Sequence, residues 1–259
     1  MTMSKTRARR ALIAVVVTAA AAATLPSAAS AGYSQTVRGW WPLAEGRGQV
    51  ARDWSGNRNH GQLGSTPGVD ANDPTWVRGI FGTAALQFGG DDFVRVPDSA
   101  DLEPQKLTVS AWVKANGSPG TFKYVLGKGG EGCVASSYAL TTGGTGGLGF
   151  YIWDGGGELR WGGLAAPEQV WDGRWHHVAG TFDGTNVRFF LDGTALPNGF
   201  SSPVNIKYDL PTSGDTGFGQ YLGDCDLFFT GAIDQVTIFG QALPVSQIWQ
   251  RYRWLLSSP

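Results

Sequence analysis

The segment from Arg174 to Gly193 constrains the fold more than any other part of the sequence. Two runs of alternating character, Trp175 to Phe182 and Val187 to Leu191, are separated by Asp-Gly-Thr-Asn. Asp-Gly pairs tolerate the positive φ angles of tight turns, so the segment predicts an antiparallel β-hairpin. Apolar residues share one face of each strand, and that face needs a second layer to cover it.

The rest of the chain also predicts short strands separated by glycine-rich turns. The clearest is Leu107 to Lys114, where apolar residues alternate with Thr108, Ser110 and Trp112. Further strands are predicted at 39–43, 84–88, 93–96, 122–127, 137–142, 148–153, 159–161 and 231–239, with a loop at 200–216. Frequent strands without helical periodicity predict an all-β sandwich or barrel. The one predicted helix is 244–254, with an apolar stripe of Val245, Ile248, Trp249 and Tyr252.

The first 31 residues resemble a secretory signal peptide. Four basic residues precede the apolar run Ala11 to Leu25, and Ala29-Ser30-Ala31 forms a small-residue cleavage site. A membrane anchor is the alternative, but this run is shorter than the roughly 20 residues that span a bilayer. The sequence therefore predicts a secreted protein without a membrane span in the mature chain. Arg9-Arg10 leaves open whether export uses the general or the twin-arginine route.

Residues 32–259 are predicted to form a single domain, because no proline- or serine-rich linker and no fixed repeat divides them. The chain contains 39 Gly, 11 Trp and 13 Phe, which is typical of extracellular β-proteins with many tight turns. Its formal net charge is −1 and falls further once the basic signal is removed. We therefore expect no nucleic-acid partner.

Cys133 and Cys225 are the only two cysteines. An even number in an exported chain favours a disulfide bond between them. Free thiols or a metal site are the alternatives, and the metal site is disfavoured because two cysteines without a neighbouring histidine make a poor zinc set.

Several ordered motifs resemble the laminin G-like jelly-roll domains of the concanavalin A-like lectin/glucanase superfamily. They are the sequence GWWPL at 39–43, DWSGN at 53–57 with His60-Gly61, the strands at 107–114 and 175–193, and 231–239 followed by Ala242-Leu243. The resemblance implies a two-sheet antiparallel jelly-roll β-sandwich, often with bound calcium. It covers nearly all of residues 32–259, but the superfamily contains both binding modules and enzymes, so it does not decide the function.

A polar turn near the N-terminus has the side-chain oxygens that calcium prefers. Asp53, Ser55, Asn57 and Asn59 occupy every second position of this turn. An EF-hand is excluded because Gly64 stands where that loop requires a bidentate glutamate. The remaining ligand must therefore come from elsewhere in the chain.

Asp234 is the candidate for that ligand. Strict alternation would place it on the apolar face with Ala232, Val236 and Ile238, where an unpaired carboxylate is costly. The family resemblance implies that this aspartate of the closing strand meets the N-terminal loop at one structural calcium ion. The alternative is that Asp53 caps a turn and Asp234 pairs with an arginine.

The sequence shows no recognisable catalytic residues. Glycanases on this scaffold tend to carry alternating acids in a Glu-x-Asp-x-x-Glu strand, and no such run is present. The lyase constellations of the family and a Gly-x-Ser-x-Gly elbow are also missing. His176 and His177 are adjacent and therefore point to opposite faces of a strand, which predicts packing and hydrogen bonding rather than a metal site.

Aromatic residues favour a binding function. Flat rings near Asp, Asn and Gln can stack on sugars, and the candidates are Trp112, Tyr151, Trp153 and Trp161. Burial in the sandwich is the alternative for each ring. The sequence thus predicts a secreted, non-catalytic carbohydrate-binding or adhesion module whose partner is a glycan or an extracellular protein. A polysaccharide hydrolase or lyase and a protein-recognition module are the rival functions.

Overall fold

Sixteen β-strands form the framework of the computed structural model, which describes residues 36–257. The first eight are β1 (Val37–Trp41), β2 (Val50–Ala51), β3 (Gly61–Leu63), β4 (Thr75–Arg78), β5 (Ala84–Gly89), β6 (Val94–Val96), β7 (Leu107–Lys114) and β8 (Tyr124–Gly130). The others are β9 (Tyr138–Thr142), β10 (Leu148–Ile152), β11 (Arg160–Leu164), β12 (His176–Phe182), β13 (Val187–Leu191), β14 (Thr194–Ala195), β15 (Ser213–Phe218) and β16 (Thr230–Phe239). Helical segments are a 3₁₀ turn (Ala100–Leu102), α1 (Pro167–Val170) and α2 (Val245–Ser257).

The strands form two eight-stranded sheets in which all neighbouring strands are antiparallel. The first sheet has the order β14-β13-β12-β7-β16-β5-β4, and β1 pairs with the second half of β16. The second sheet has the order β11-β10-β9-β8-β15-β6-β3-β2. The prediction of an all-β, two-sheet antiparallel sandwich with a short C-terminal helix is therefore confirmed.

The predicted hairpin lies within the first sheet. Val178 pairs with Leu191 and Phe182 with Val187, and the apolar faces of β12 and β13 are buried in the core between the sheets. Gly180 of β12 faces the Phe150 ring of β10, and a β-carbon on this glycine would overlap that ring. The close approach of the two sheets at this point thus requires a residue without a side chain.

The structure differs from the sequence prediction in β15 and in the exposure of the C-terminal helix, and it adds elements that were not predicted: β2, β3, β4, β14 and α1. Residues 213–218 form β15 although a loop was predicted there, because Gly214, Asp215 and Gly217 give that strand little apolar alternation. The helix α2 packs on the outward face of the first sheet as predicted, with Ile248 buried. Of its predicted apolar stripe, Val245 and Trp249 remain about half exposed.

Candidate ligand-binding groove

A groove of about 620 Å³ opens on the outward face of the first sheet. Lys114 of β7 and Ala232 of β16 pair with each other there, one residue beyond Val113 and Ile233, which belong to the core. Because successive side chains of a strand point to opposite faces, the paired residues point away from the core. The full lining is Val77, Arg78, Gln87, Lys114, Ala115, Asn116, Gly117, Ser118, Pro119, Trp175, Thr230, Gly231 and Ala232.

The groove combines one aromatic ring with polar side chains. Trp175 is partly exposed, and Gln87, Asn116, Ser118 and Thr230 supply amide and hydroxyl groups. Its volume lies within the range of small-molecule sites, and an indole ring beside hydrogen-bonding groups suits a sugar. No Asp or Glu is among its lining residues, so the described groove lacks the pair of carboxyl groups that glycoside hydrolysis uses.

Sequence reasoning missed this groove. Trp175 was interpreted only as the first residue of a hairpin strand, and Asn116 and Ser118 belong to a loop after β7. The available signal was the polar segment Lys114 to Ser118 directly after a well-defined strand, since loops positioned by a rigid sheet often carry function.

The four aromatic residues suggested by the sequence lie outside the groove lining. Trp112, Tyr151 and Trp153 have at most 4% of their surface exposed, and Trp161 is partly buried against Tyr151. Tyr151 shares a 2.8 Å hydrogen bond between hydroxyl groups with Tyr124. Tyr151 and Trp153 present no open face to a sugar, because neighbouring side chains of the sheet and loops bury them.

Trp112 is covered by α2 instead. Tyr252 stacks on its ring with a centroid distance of 5.9 Å, and His177 packs edge-on at 5.5 Å. This arrangement keeps the helix on the sheet and closes the outward face at that point. Burial also lowers the pKa of His177 to about 3, so its ring is neutral at ordinary pH.

His176 lies between two carboxylates. Its Nδ1 is 2.8 Å from Asp192 Oδ2 and its Nε2 is 3.0 Å from Asp172 Oδ1. The hydrogen bond with Asp192 is the main cause that raises the pKa of His176 above its usual value, against the effect of burial. The two histidines thus serve packing and hydrogen bonding in different surroundings, as strand geometry predicted.

The N-terminal loop is organised around Asp53. Its Oδ1 accepts hydrogen bonds from the backbone N–H groups of Trp40 (2.9 Å) and Ser55 (2.8 Å). Its Oδ2 accepts from Ser55 Oγ (2.8 Å) and the Asn59 backbone N–H (2.9 Å). Four donors therefore saturate the carboxylate, which makes Asp53 the structural centre of the turn.

Three side chains of the same loop converge on one backbone oxygen. The amide groups of Asn57 and Asn59 donate to the carbonyl of Arg38 at 2.9 Å and 3.1 Å, and Ser55 Oγ lies 3.4 Å from it. Rotating either amide would bring a side-chain oxygen toward this carbonyl. After such a rotation, the amide oxygens of Asn57 and Asn59 and the Arg38 carbonyl would supply part of an oxygen set for a hard cation, and Asp53 would join it only by giving up one of its four hydrogen bonds.

Asp234 does not join that set. Its carboxylate accepts the Ile80 backbone N–H at 3.0 Å and shares no hydrogen-bond partner with Asp53, Asn57 or Asn59 among the described residues. The described residues also contain no group of three or more His, Cys, Asp or Glu side chains that could hold a metal ion.

A bulge corrects the predicted orientation of Asp234. Gln235 has a φ of 51°, and the register of β16 with β7 shifts between Asp234 and Thr237. The inserted residue reverses the alternation, so Asp234 pairs with Trp112 on the outward face while Val236 and Ile238 enter the core. The expectation that the three residues share one face was wrong. Burial under the 79–81 segment raises the pKa of Asp234 to about 7.

The disulfide prediction is confirmed. Cys133 and Cys225 are bonded, with 5.3 Å between their α-carbons. The bridge joins the segment after β8 to the loop before β16. The predicted signal peptide, residues 1–31, lies outside the described residues, and within 36–257 no helix is long and apolar enough to cross a membrane.

Comparisons with solved structures show the same fold in proteins of diverse sequence. Domain 4 of a GH43 extracellular arabinanase from Geobacillus stearothermophilus, in complex with arabinotriose, aligns with a TM-score of 0.60 and 19% identity over 83% of this chain and 97% of its own. The binding domain of botulinum neurotoxin DC, in complex with rat synaptotagmin II, aligns with a TM-score of 0.62 and 12% identity. The alignment covers 86% of this chain and 52% of the toxin chain, so the protein corresponds to about half of that binding domain.

A third relative is a botulinum neurotoxin type C structure, whose cell entry depends on two ganglioside molecules. It aligns with a TM-score of 0.58 and 13% identity over 87% of this chain and 53% of its own. A direct sequence comparison with curated proteins returns no match. The profile of the concanavalin A-like lectin/glucanase superfamily that covers laminin G-like domains matches residues 88–249, which is more than half of the chain. Together with the two-sheet architecture, this match shows that the chain belongs to that superfamily as a laminin G-like jelly-roll domain.

Proposed function

We propose that the protein is an exported, non-catalytic carbohydrate-binding module that binds glycans in the groove around Trp175. The observation that carries the proposal is the joint presence of a partly exposed indole and four uncharged polar side chains in a groove on a rigid sheet. Sugars are recognised by stacking of their C–H faces on aromatic rings and by directed hydrogen bonds. The lack of carboxylates in the groove lining favours binding over hydrolysis.

Structural relatives support this proposal at the level of the fold. The arabinanase domain, whose chain is almost fully covered by the alignment, was solved with an oligosaccharide, and a ganglioside-dependent neurotoxin has the same architecture. The disulfide bond supports an oxidising compartment and so the proposed secretion. Identities below 20% transfer only the fold, so the groove itself remains the main argument.

The test is a glycan array combined with assays for reducing sugars and unsaturated products. Wild-type protein is compared with Trp175→Ala and with the control Trp54→Ala, an aromatic residue that is 58% exposed and outside the groove lining. We expect the Trp175 variant to lose glycan binding and the Trp54 variant to retain it. Equal glycan binding by both variants would show that the binding site lies outside the groove. Release of a reducing sugar or an unsaturated product would indicate an enzyme.

Protein recognition is the second candidate function. Trp40 and Trp54 are exposed and pack edge-to-face at 5.8 Å, and exposed aromatic residues are enriched where proteins meet. The synaptotagmin complex of the neurotoxin domain shows a protein partner on the same fold. Absence of glycan binding together with partner capture that depends on Trp54 would favour this function.

A structural calcium ion remains part of the proposal, restricted to the N-terminal loop. The Arg38 carbonyl would hold it together with the amide oxygens of Asn57 and Asn59 once these amide groups, which now donate to that carbonyl, rotate. Asp53 would bind the ion by exchanging one of its four hydrogen bonds for it. The ion would join the loop to β1 and so stabilise the edge of the first sheet. Asp234, which the resemblance implied as a ligand, is left out because it bonds to Ile80 instead.

A further inference from the structure

The charges of the groove point to the class of glycan. Arg78 and Lys114 line it, both are exposed, and no lining residue is acidic. The whole chain, by contrast, has a formal net charge of −1. The groove is therefore a local concentration of positive charge on a protein whose net charge is negative, and more negative once the four basic residues of the predicted signal are removed.

Neither Arg78 nor Lys114 forms an ion pair with a described residue. Among the described residues, the ion pairs involve other basic side chains: Arg38, Arg95, Lys128, Arg160, Arg174, His176 and Lys207. Asp172, which bridges to Asn116 at the groove, is already bonded to Arg174 and His176. Arg78 and Lys114 are thus available to a ligand with negative charge.

From this charge distribution we infer that the groove selects acidic polysaccharides over neutral ones. Trp175 stacks on a sugar ring, and Arg78 and Lys114 bind carboxylate or sulfate groups of the same chain. An arginine can hold such a group through two parallel hydrogen bonds, and a lysine acts as a point charge. This inference rests on the proposed glycan-binding function and specifies its ligand class.

The position of the two cations strengthens the argument. Arg78 is the last residue of β4 and Lys114 the last residue of β7, with β5 and β16 between these strands in the sheet. The charges therefore stand on two different strands, with the uncharged floor of Gln87 and Ala232 between them. A polymer with a charge on each sugar could contact both cations at once.

The experiment measures affinity for four soluble probes at low and moderate salt. Polygalacturonic acid tests carboxylates, dextran sulfate tests sulfates, and fully methyl-esterified polygalacturonate and debranched arabinan are the neutral counterparts. The variants are Arg78→Gln, Lys114→Gln and Trp175→Ala. Lys106→Gln is the matched control, because Lys106 is exposed, lies outside the groove lining and forms no ion pair among the described residues.

We expect tight binding to at least one acidic probe, weakened by salt because exposed charges are screened. Each groove glutamine should weaken it by about tenfold, the loss expected for one charge-assisted hydrogen bond, and Lys106→Gln should not. Preference for the carboxylate or the sulfate probe identifies the anionic group. Equal affinity for the esterified and the acidic polymer would overturn the charge inference but keep the glycan function. No binding to any probe would overturn both.

Discussion

The carboxylate of Asp234 accepts a hydrogen bond from the backbone N–H of Ile80, 154 residues earlier in the chain, at 3.0 Å. This contact ties the segment after β4 to the bulge of the closing strand. The second carboxylate oxygen of Asp234 is buried and has no hydrogen-bond partner among the described residues. One satisfied and one unsatisfied oxygen favour the protonated acid over the carboxylate.

The protonation of Asp234 should make stability fall as pH rises. Its folded-state pKa of about 7 lies above the unfolded value of 3.8, so the folded protein binds the proton more tightly. The contribution of Asp234 to the free energy of unfolding is complete below about pH 4. It is lost progressively up to about pH 7, by an amount on the order of a few kcal/mol. Melting temperatures of wild type and Asp234→Asn, measured in chelator between pH 4 and 7, should fall less steeply with pH in the variant. An unchanged slope would mean that the carboxylate is ionised in the folded protein.

His176 should titrate above its ordinary value because Asp192 and Asp172 contact its two ring nitrogens. Its contribution to stability is complete below the unfolded pKa of about 6.5 and is lost as pH rises through the higher folded value. Asp192→Asn keeps an oxygen for the backbone N–H of His177 but removes the charge. Titration by NMR should show a lower pKa for His176 in this variant. No change would assign the raised pKa to Asp172 alone.

Calcium should raise the melting temperature through the N-terminal loop. Asn57→Ala is expected to reduce that rise, because it removes an exposed ligand without removing the Asp53 hydrogen bonds that shape the turn. Asp234→Asn is expected to retain it. The measurement is differential scanning calorimetry with chelator and with calcium. If calcium does not change the melting temperature of the wild-type protein, the proposal of a calcium site is wrong. If Asp234→Asn loses the calcium-dependent rise in melting temperature, Asp234 is a calcium ligand after all.

Removal of the disulfide bond should destabilise the protein strongly. Cys133 and Cys225 are 92 residues apart, and closing so long a loop restricts the unfolded chain by roughly 4 kcal/mol in the entropy model. The double variant Cys133→Ser/Cys225→Ser should therefore unfold at a lower urea concentration, measured by tryptophan fluorescence. Reduced wild type is the control and should behave like the variant. A loss below about 1 kcal/mol would show that the unfolded chain gains little freedom without the bridge.

Gly180 should not tolerate a side chain. A β-carbon there would overlap the Phe150 ring of the opposite sheet, so Gly180→Ala forces the two sheets apart or the ring off its position. Overpacking of this kind costs about 1–3 kcal/mol. Gly68→Ala is the control, because Gly68, like Gly180, has no positive φ and its added carbon would meet no atom closer than 4.0 Å. Urea denaturation measures both, and equal losses would contradict the packing argument.

The main strands and the disulfide pairing could be predicted from the sequence alone. The Asp-Gly turn and the alternation around it predicted β12 and β13, and the alternation of Leu107 to Lys114 predicted β7, because turn chemistry and strand period depend on neighbouring residues. With only two cysteines and a predicted export signal, one pairing was available. These features can be predicted without knowing which residues pack against each strand.

Which surfaces remain open and which face Asp234 occupies depend on how the layers of the fold pack together. Trp112 was predicted as a sugar-stacking ring and Trp175 was not, but α2 covers Trp112 and Trp175 lines the groove. The bulge at Gln235 turned Asp234 outward, away from Val236 and Ile238. Alternation along a strand predicts which residues share a face. Whether that face is buried depends on the layer that packs against it, and this layer is formed by residues distant in sequence.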